Sequence, residues 1–298
     1  MVGDVTLFNM SKQRPSRRNL VEFGPMAVLA TYNVKGGVGK TATVVNLAHR
    51  AAVTGQAGGG RVLVFDLDPQ GAASYYFRAA PKVRRGGKSL VQGKVDGREA
   101  VTPTDFPGLD LIPSDFSFRN LDVVLDAAKD PGRSLERVVR PLTKRYDHVF
   151  LDCPPSISRL SENVFNAADA LLVPIIPTTL SLRALDQLNG FLARRAAGGK
   201  AVRSPLVLPF FSMADRRKKL HRELIEDLCL AHPGILRSAV PSATSVEQMG
   251  AHQAPVAAFD RRSPAVAAYA GLWDEVLARL AASPGRPARS RARSRAQP

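Results

Sequence analysis

The chain has 298 residues, 45% of them hydrophobic, and a formal net charge of +16. That length supports one large core with tails. No apolar run reaches the ~18 residues of a membrane span, and the opening MVGDVTLFNMSKQRPSRRN lacks the apolar centre of a secretory signal, so the cytoplasm is the expected compartment. The cationic surplus favours polyanionic partners, nucleic acid ahead of an anionic membrane surface. Two distant cysteines, Cys153 and Cys229, argue against a disulfide framework, a structural zinc site or thioredoxin-like chemistry.

In chain order, residues 1–24 read as a polar arm. A strand follows at 27–32 (AVLATY), then a Gly-rich loop and a helix over 41–53. Further buried strands are expected at 61–65 (RVLVF), 109–112, 147–151 (DHVFL), 170–176 (ALLVPII), 205–211 (PLVLPFF) and 234–240. Helical patterns separate them, notably at 180–195, 216–231 and 264–282. Apolar strands without polar alternation, spaced by helices, predict an α/β fold with a doubly wound, mostly parallel sheet covered on both faces. Residues 78–98, basic and glycine-rich, read as a loop or small excursion. The stretch 283–298, rich in arginine and free of bulky apolar residues, reads as a disordered basic tail. The folded domain is therefore placed at 25–282.

Chemistry concentrates in TYNVKGGVGKTATVVNLA, residues 31–48. A strand, a glycine-rich turn and a helix start let successive N–H groups converge on an anion, aided by the helix dipole. Gly36, Gly37 and Gly39 permit close backbone approach. Lys40 is placed to reach the β/γ-phosphates and the Thr41 hydroxyl to ligate Mg²⁺. The usual first glycine is replaced by Val34, and a second lysine, Lys35, stands inside the loop.

KGGVGKT resembles the deviant Walker A motif of the ParA/MinD group of ATPases. The resemblance implies a P-loop NTPase that binds ATP and Mg²⁺ through residues 36–42, Val38 and Ala42 included. It also implies that Lys35 crosses the interface of an ATP-sandwiched homodimer to the partner's phosphates, acting as an arginine finger does. Ala42 departs from relatives that carry a hydroxyl residue there; its N–H remains available to phosphate.

Three aspartates end predicted strands, where ligand crevices of open parallel sheets lie. Asp66 and Asp68, in FDLDPQG, resemble the Walker A′ motif: Asp68 is implied to orient or activate the attacking water, and Asp66 to lie near the Mg²⁺ shell. Asp152, in VFLDCPPS, matches the Walker B position as a magnesium residue. By the same resemblance Met213 and Pro241 lie near the adenine.

The likeness extends over about residues 26–282, through LLVPIIPTTLSLRALDQL, PFFSMADRRKKLHREL and the stretch from 239 to 269. It implies nonspecific DNA binding by Arg217, with Lys218, Lys219 and Arg216 beside it, and by Arg194 and Arg195 at the end of the preceding helix. A nucleoid-associated ATPase follows, one that segregates or positions DNA or a protein cargo and is stimulated by a ParB-like or other adaptor. No membrane partner is expected, since the tail lacks the bulky apolar face of an interfacial helix. The alternative is a MinD-like membrane-associated positioning ATPase or a low-turnover nucleotide-dependent regulatory module.

Overall fold

Short apolar runs, each fully buried, build the centre of the sheet. In the computed structural model, which describes residues 27–55, 60–83, 85–197 and 204–283, β1 (Ala27–Thr31), β2 (Val62–Asp66) and β5 (His148–Asp152) have no exposed residue. The remaining strands are β3 (Thr102–Pro103), β4 (Leu109–Ile112), β6 (Ala170–Ile175), β7 (Leu206–Ala214) and β8 (Ala239–Pro241). Their order is β3-β4-β2-β5-β1-β6-β7-β8, parallel throughout except where β3 pairs antiparallel with β4. The polar arm 1–24 and residues 284–298 of the basic tail lie outside the described residues.

Alternation along each strand divides the core in two. Ala27, Leu29, Val62, Val64, Phe150, Leu172 and Phe210 face one way, covered by α1 (Lys40–Thr54) and α12 (Pro264–Ala282), with the short helices α2 (Ala72–Tyr76), α9 (Thr244–Glu247), α10 (Met249–His252) and α11 (Val256–Phe259) on the same side. Val28, Ala30, Leu63, Phe65, Leu151 and Leu171 face the other. That second face is covered by α4 (Leu121–Asp126), α5 (Ser134–Leu142), α6 (Arg159–Ala167), α7 (Thr179–Ala197) and α8 (Lys219–Ala231). Crossovers require a helix between parallel neighbours, so both faces are dry and the strands carry no polar alternation.

Four features differ from the sequence expectation, the first being the strand expected at 234–240, of which only Ala239–Pro241 forms while 233–238 make a turn. Strand β3 is a two-residue antiparallel edge, too short to leave a hydrophobic signal. Residues 78–98 contain a short helix, α3 (Gly87–Val91), and run into a 3₁₀ turn at Gly97–Ala100; Gly87 is there because a Cβ would sit 2.3 Å from the Phe118 ring. Helix α8 begins at Lys219 rather than 216, because Asp215 and its neighbours form a separate turn.

Candidate functional site

The phosphate loop lies where β1 gives way to α1. Val34, Lys35, Gly36 and Gly37 are exposed, while Val38 is buried beneath them. Gly37 and Gly39 hold φ of 69° and 87°, in the left-handed region where a side chain is strained. At Gly39 a Cβ would also stand 2.9 Å from Ser212 Oγ on β7. Asn33 shapes the loop from below: its Nδ2 donates to the Pro174 carbonyl (2.8 Å) and its Oδ1 accepts from the Lys35 N–H (2.9 Å).

Lys40 opens α1 and is buried, with Nζ donating to the Lys35 carbonyl at 2.9 Å. Burial pushes its pKa down, against the attraction of Asp152 and Asp68. The lysine is therefore curled over its own loop, as a cation awaiting an anion. The Lys35 side chain is exposed. Ala42 packs on the α1-side core, and its carbonyl accepts from Asn46 (2.8 Å).

Register brings the carboxylates together: Asp152 pairs with Thr31 on one side and Asp66 on the other. Alternation turns both aspartates to the α1 side of the sheet. Both are fully buried, but they are used differently. Asp66 Oδ2 accepts from the Ser74 N–H (2.8 Å) and hydroxyl (2.7 Å), and Oδ1 from the Asp68 N–H (3.2 Å). Burial pushes its pKa up to about 6 despite these bonds. Asp66 thus braces the loop that carries Asp68.

Asp152 has no hydrogen-bond partner on either oxygen. Burial, then the charge of Asp66, raises its pKa well above the usual range; the Thr41 hydroxyl is near enough to favour the charged form without making a bond of ordinary geometry. A buried carboxylate with two bare oxygens is costly unless a cation completes it. Hard oxygen donors from Asp152 and Thr41 fit Mg²⁺, which takes one or two carboxylates and fills its shell with phosphate and water. Among the described residues no cluster of three or more His, Cys, Asp or Glu offers a protein-only metal cage.

Asp68 is partly exposed at the mouth, its carbonyl held by the Ser114 hydroxyl (2.5 Å) and its Oδ1 accepting from the Gln70 N–H (2.9 Å). Ser114 N–H in turn donates to Ser74 Oγ (2.8 Å). Ser74, Ser114, Asn33 and Ser212 were not singled out from the sequence; lone serines and asparagines near strand ends look like ordinary turn residues.

Met213 and Pro241 are on the adjacent strands β7 and β8, where Ala214 pairs with Pro241. Met213 is exposed with φ 55°, on the strand that presses Ser212 against Gly39.

The basic residues fall in two places. Arg216, Arg217, Lys218 and Lys219 are exposed in the turn before α8 and at its start. Arg194 is exposed near the end of α7, whereas Arg195 is drawn inward: its Nη2 donates to Asn166 Oδ1 (2.7 Å) and its guanidinium lies 5.6 Å from the Phe165 ring centre. Burial lowers the Arg195 pKa. Arg195 is a packing residue between α6 and α7.

A strand-to-helix anion cradle at the carboxyl edge of a parallel sheet, beside a carboxylate prepared for a cation, defines the phosphate-loop nucleoside triphosphatases. Comparison with known proteins narrows this class. A family model described as an AAA domain matches residues 26–196. The chromosome partitioning protein ParA of Caulobacter vibrioides is 32% identical over 260 residues, covering 86% of this chain and 95% of that protein. A Mycobacterium smegmatis structure described as cobyrinic acid a,c-diamide synthase with an ATP analogue and magnesium is 28% identical (TM-score 0.68), covering 85% of this chain and 94% of that one. A Cyanothece McdA–ATP complex shares the fold at 21% identity (TM-score 0.71, 85% and 97% covered). The chain belongs to the ParA family of ATPases.

Proposed function

We propose that this ATPase binds ATP and Mg²⁺ at the 35–42 loop, dimerises around two nucleotides, binds DNA without sequence preference and uses hydrolysis to position a DNA or protein cargo. The observation that carries the nucleotide part is Asp152, fully buried with both oxygens unpartnered beside Thr41. Bound there, Mg²⁺ supplies charge neutralisation for the phosphates. Lys40 exchanges the Lys35 carbonyl for phosphate oxygens, and the N–H groups of residues 36–42 surround them. Asp68, fixed by Ser114 and braced through Asp66, orients the attacking water. Met213 and Pro241 border the adenine. The expected domain limits, 25–282 with flanking arm and tail, are part of this reading.

Lys35 supports the dimer. Its carbonyl serves Lys40 while its side chain stands exposed, free to neutralise charge on a nucleotide held by a second copy. Exposed apolar side chains at Val34, Ile157 and Leu180 belong to loops and a helix start on the same carboxyl edge. DNA contact is assigned to Arg216, Arg217, Lys218, Lys219 and Arg194, with Arg195 kept as a structural support. A ParB-like or other adaptor is the proposed stimulating partner, and the nucleoid the proposed location.

The synthase description of the Mycobacterium smegmatis structure favours a second reading, ATP-dependent amide formation. A glutamine-hydrolysing enzyme needs an accessible thiolate. Here Cys153 is buried with its pKa pushed well up, and that of Cys229 is also raised. No described helix is long and apolar enough to cross a membrane.

The test is Lys35→Ala. ATP binding measured by calorimetry is expected to stay within about threefold of wild type, while turnover falls by at least about 1,000-fold, the scale of losing a trans-acting cation. Unchanged turnover would remove the role assigned to Lys35.

A further inference from the structure

The turn between β7 and α8 holds its cations in a specific way. The Arg217 guanidinium forks onto Asp215, Nε to Oδ1 at 3.0 Å and Nη2 to Oδ2 at 3.1 Å. The Arg217 N–H donates to the same Oδ1 at 3.0 Å, and the Lys218 N–H to the Asp215 carbonyl at 3.1 Å. Asp215 is itself anchored: its N–H donates to Nδ1 of the buried His221 at 3.1 Å. Arg222 Nη1 closes the turn on the Arg216 carbonyl at 2.7 Å.

The two partners differ in freedom. The Asp215 side chain is 17% exposed and that of Arg217 92% exposed. Hydrogen bonds from Arg217 hold the Asp215 carboxyl at about 2, so it is charged at any physiological pH. A fixed anion thus neutralises a highly exposed cation of the cluster, through the same Nε/Nη2 edge that an arginine uses to grip phosphate in two-pronged fashion.

We propose that Asp215 is an internal competitor for DNA phosphate, masking Arg217 until a backbone phosphate takes its place. The inference rests on the reading of residues 216–219 as DNA-binding. An exposed ion pair is weak enough to be exchanged, so the mask tunes affinity rather than abolishing it. It also suppresses the nonspecific attraction that a protein of charge +16 feels for every polyanion. Its rigid backing, through His221 and Arg222, keeps the anion in place when Arg217 swings out.

The experiment is nonspecific duplex binding by the full chain with ATP and Mg²⁺, followed by fluorescence anisotropy over a salt series. Asp215→Asn keeps the Oδ1 acceptor that shapes the turn and removes only the charge. Its affinity is expected to rise roughly two- to fivefold. The slope of log K against log salt should stay as in wild type, because Arg217 reaches the same phosphate in both complexes and only the competition with Asp215 is lost. Adding Arg217→Ala to that variant should bring affinity back to wild type or below. If wild type binds DNA and Asp215→Asn binds equally or more weakly, the masking role is wrong while the cluster's role stands. If wild type itself binds no DNA, the reading of the cluster fails and the mask with it.

Discussion

Asp152 and Asp66 show how one residue type in one environment takes two tasks. Their Cα positions are register partners and both are fully buried, yet Asp66 accepts three hydrogen bonds and Asp152 none. Burial raises the folded-state pKa of Asp152 above 3.8, so in the nucleotide-free protein its contribution is intact at low pH and is lost as pH climbs from about 4 through that raised value. Asp152→Asn removes the charge. At about pH 8 we expect the nucleotide-free variant to be more stable than wild type by about 1–3 kcal/mol, with no stabilisation on adding Mg²⁺ and ATP. Urea melts with and without nucleotide check both; a less stable variant would mean that Asp152 is not an uncompensated charge. At this scale much was legible. The glycines, both lysines and the three aspartates stand out by spacing, whereas the braces on Asp66 and Asp68 come from Ser74 and Ser114, on separate segments that only the fold brings together.

At the scale of elements, long apolar runs announced themselves and short ones did not. β1, β2, β5 and β6 are continuous buried runs, and their observed bounds fall within a residue or so of the expected ones. β3 has two exposed residues, and α4 has six residues with Val123 exposed, so neither carries a period to detect. α12 illustrates what docking an element imposes. Its Trp273 meets His148, the first residue of β5, edge to face at 5.0 Å, and burial pushes His148 down to about 4. A base whose pKa is depressed on folding contributes stability above its ordinary value of 6.5, lost as pH falls toward 4. His148 should therefore account for about 2 kcal/mol of the stability lost between about pH 7.5 and about pH 5. His148→Gln should flatten the pH dependence of urea melts by that amount; an unchanged slope would place the acid sensitivity elsewhere.

For the whole molecule, the sheet order places every assigned nucleotide residue along one carboxyl edge, from β2 across β5 and β1 to β7 and β8. The basic turn leaves that edge directly after β7, with Asp215 two residues past Met213. The proposed nucleotide and DNA surfaces are thereby joined by a single short connection, which gives a physical basis for coupling them. Sequence reading reached the edge but not the connection: the expected helix at 216–231 hid the separate turn that Asp215, His221 and Arg222 hold. The sequence expectation also puts Arg195 on the DNA surface, whereas in the fold its guanidinium lies over the Phe165 ring and donates to Asn166.

The proposed cycle depends most on a dimer that closes around ATP before hydrolysis. Asp68→Ala removes the proposed water-orienting group and leaves Lys35, Lys40, Thr41 and Asp152 in place. Light scattering of this variant with ATP and Mg²⁺ should give twice the chain mass, returning to the single-chain mass when ATP is replaced by ADP. A single-chain mass under both conditions would contradict the central claim.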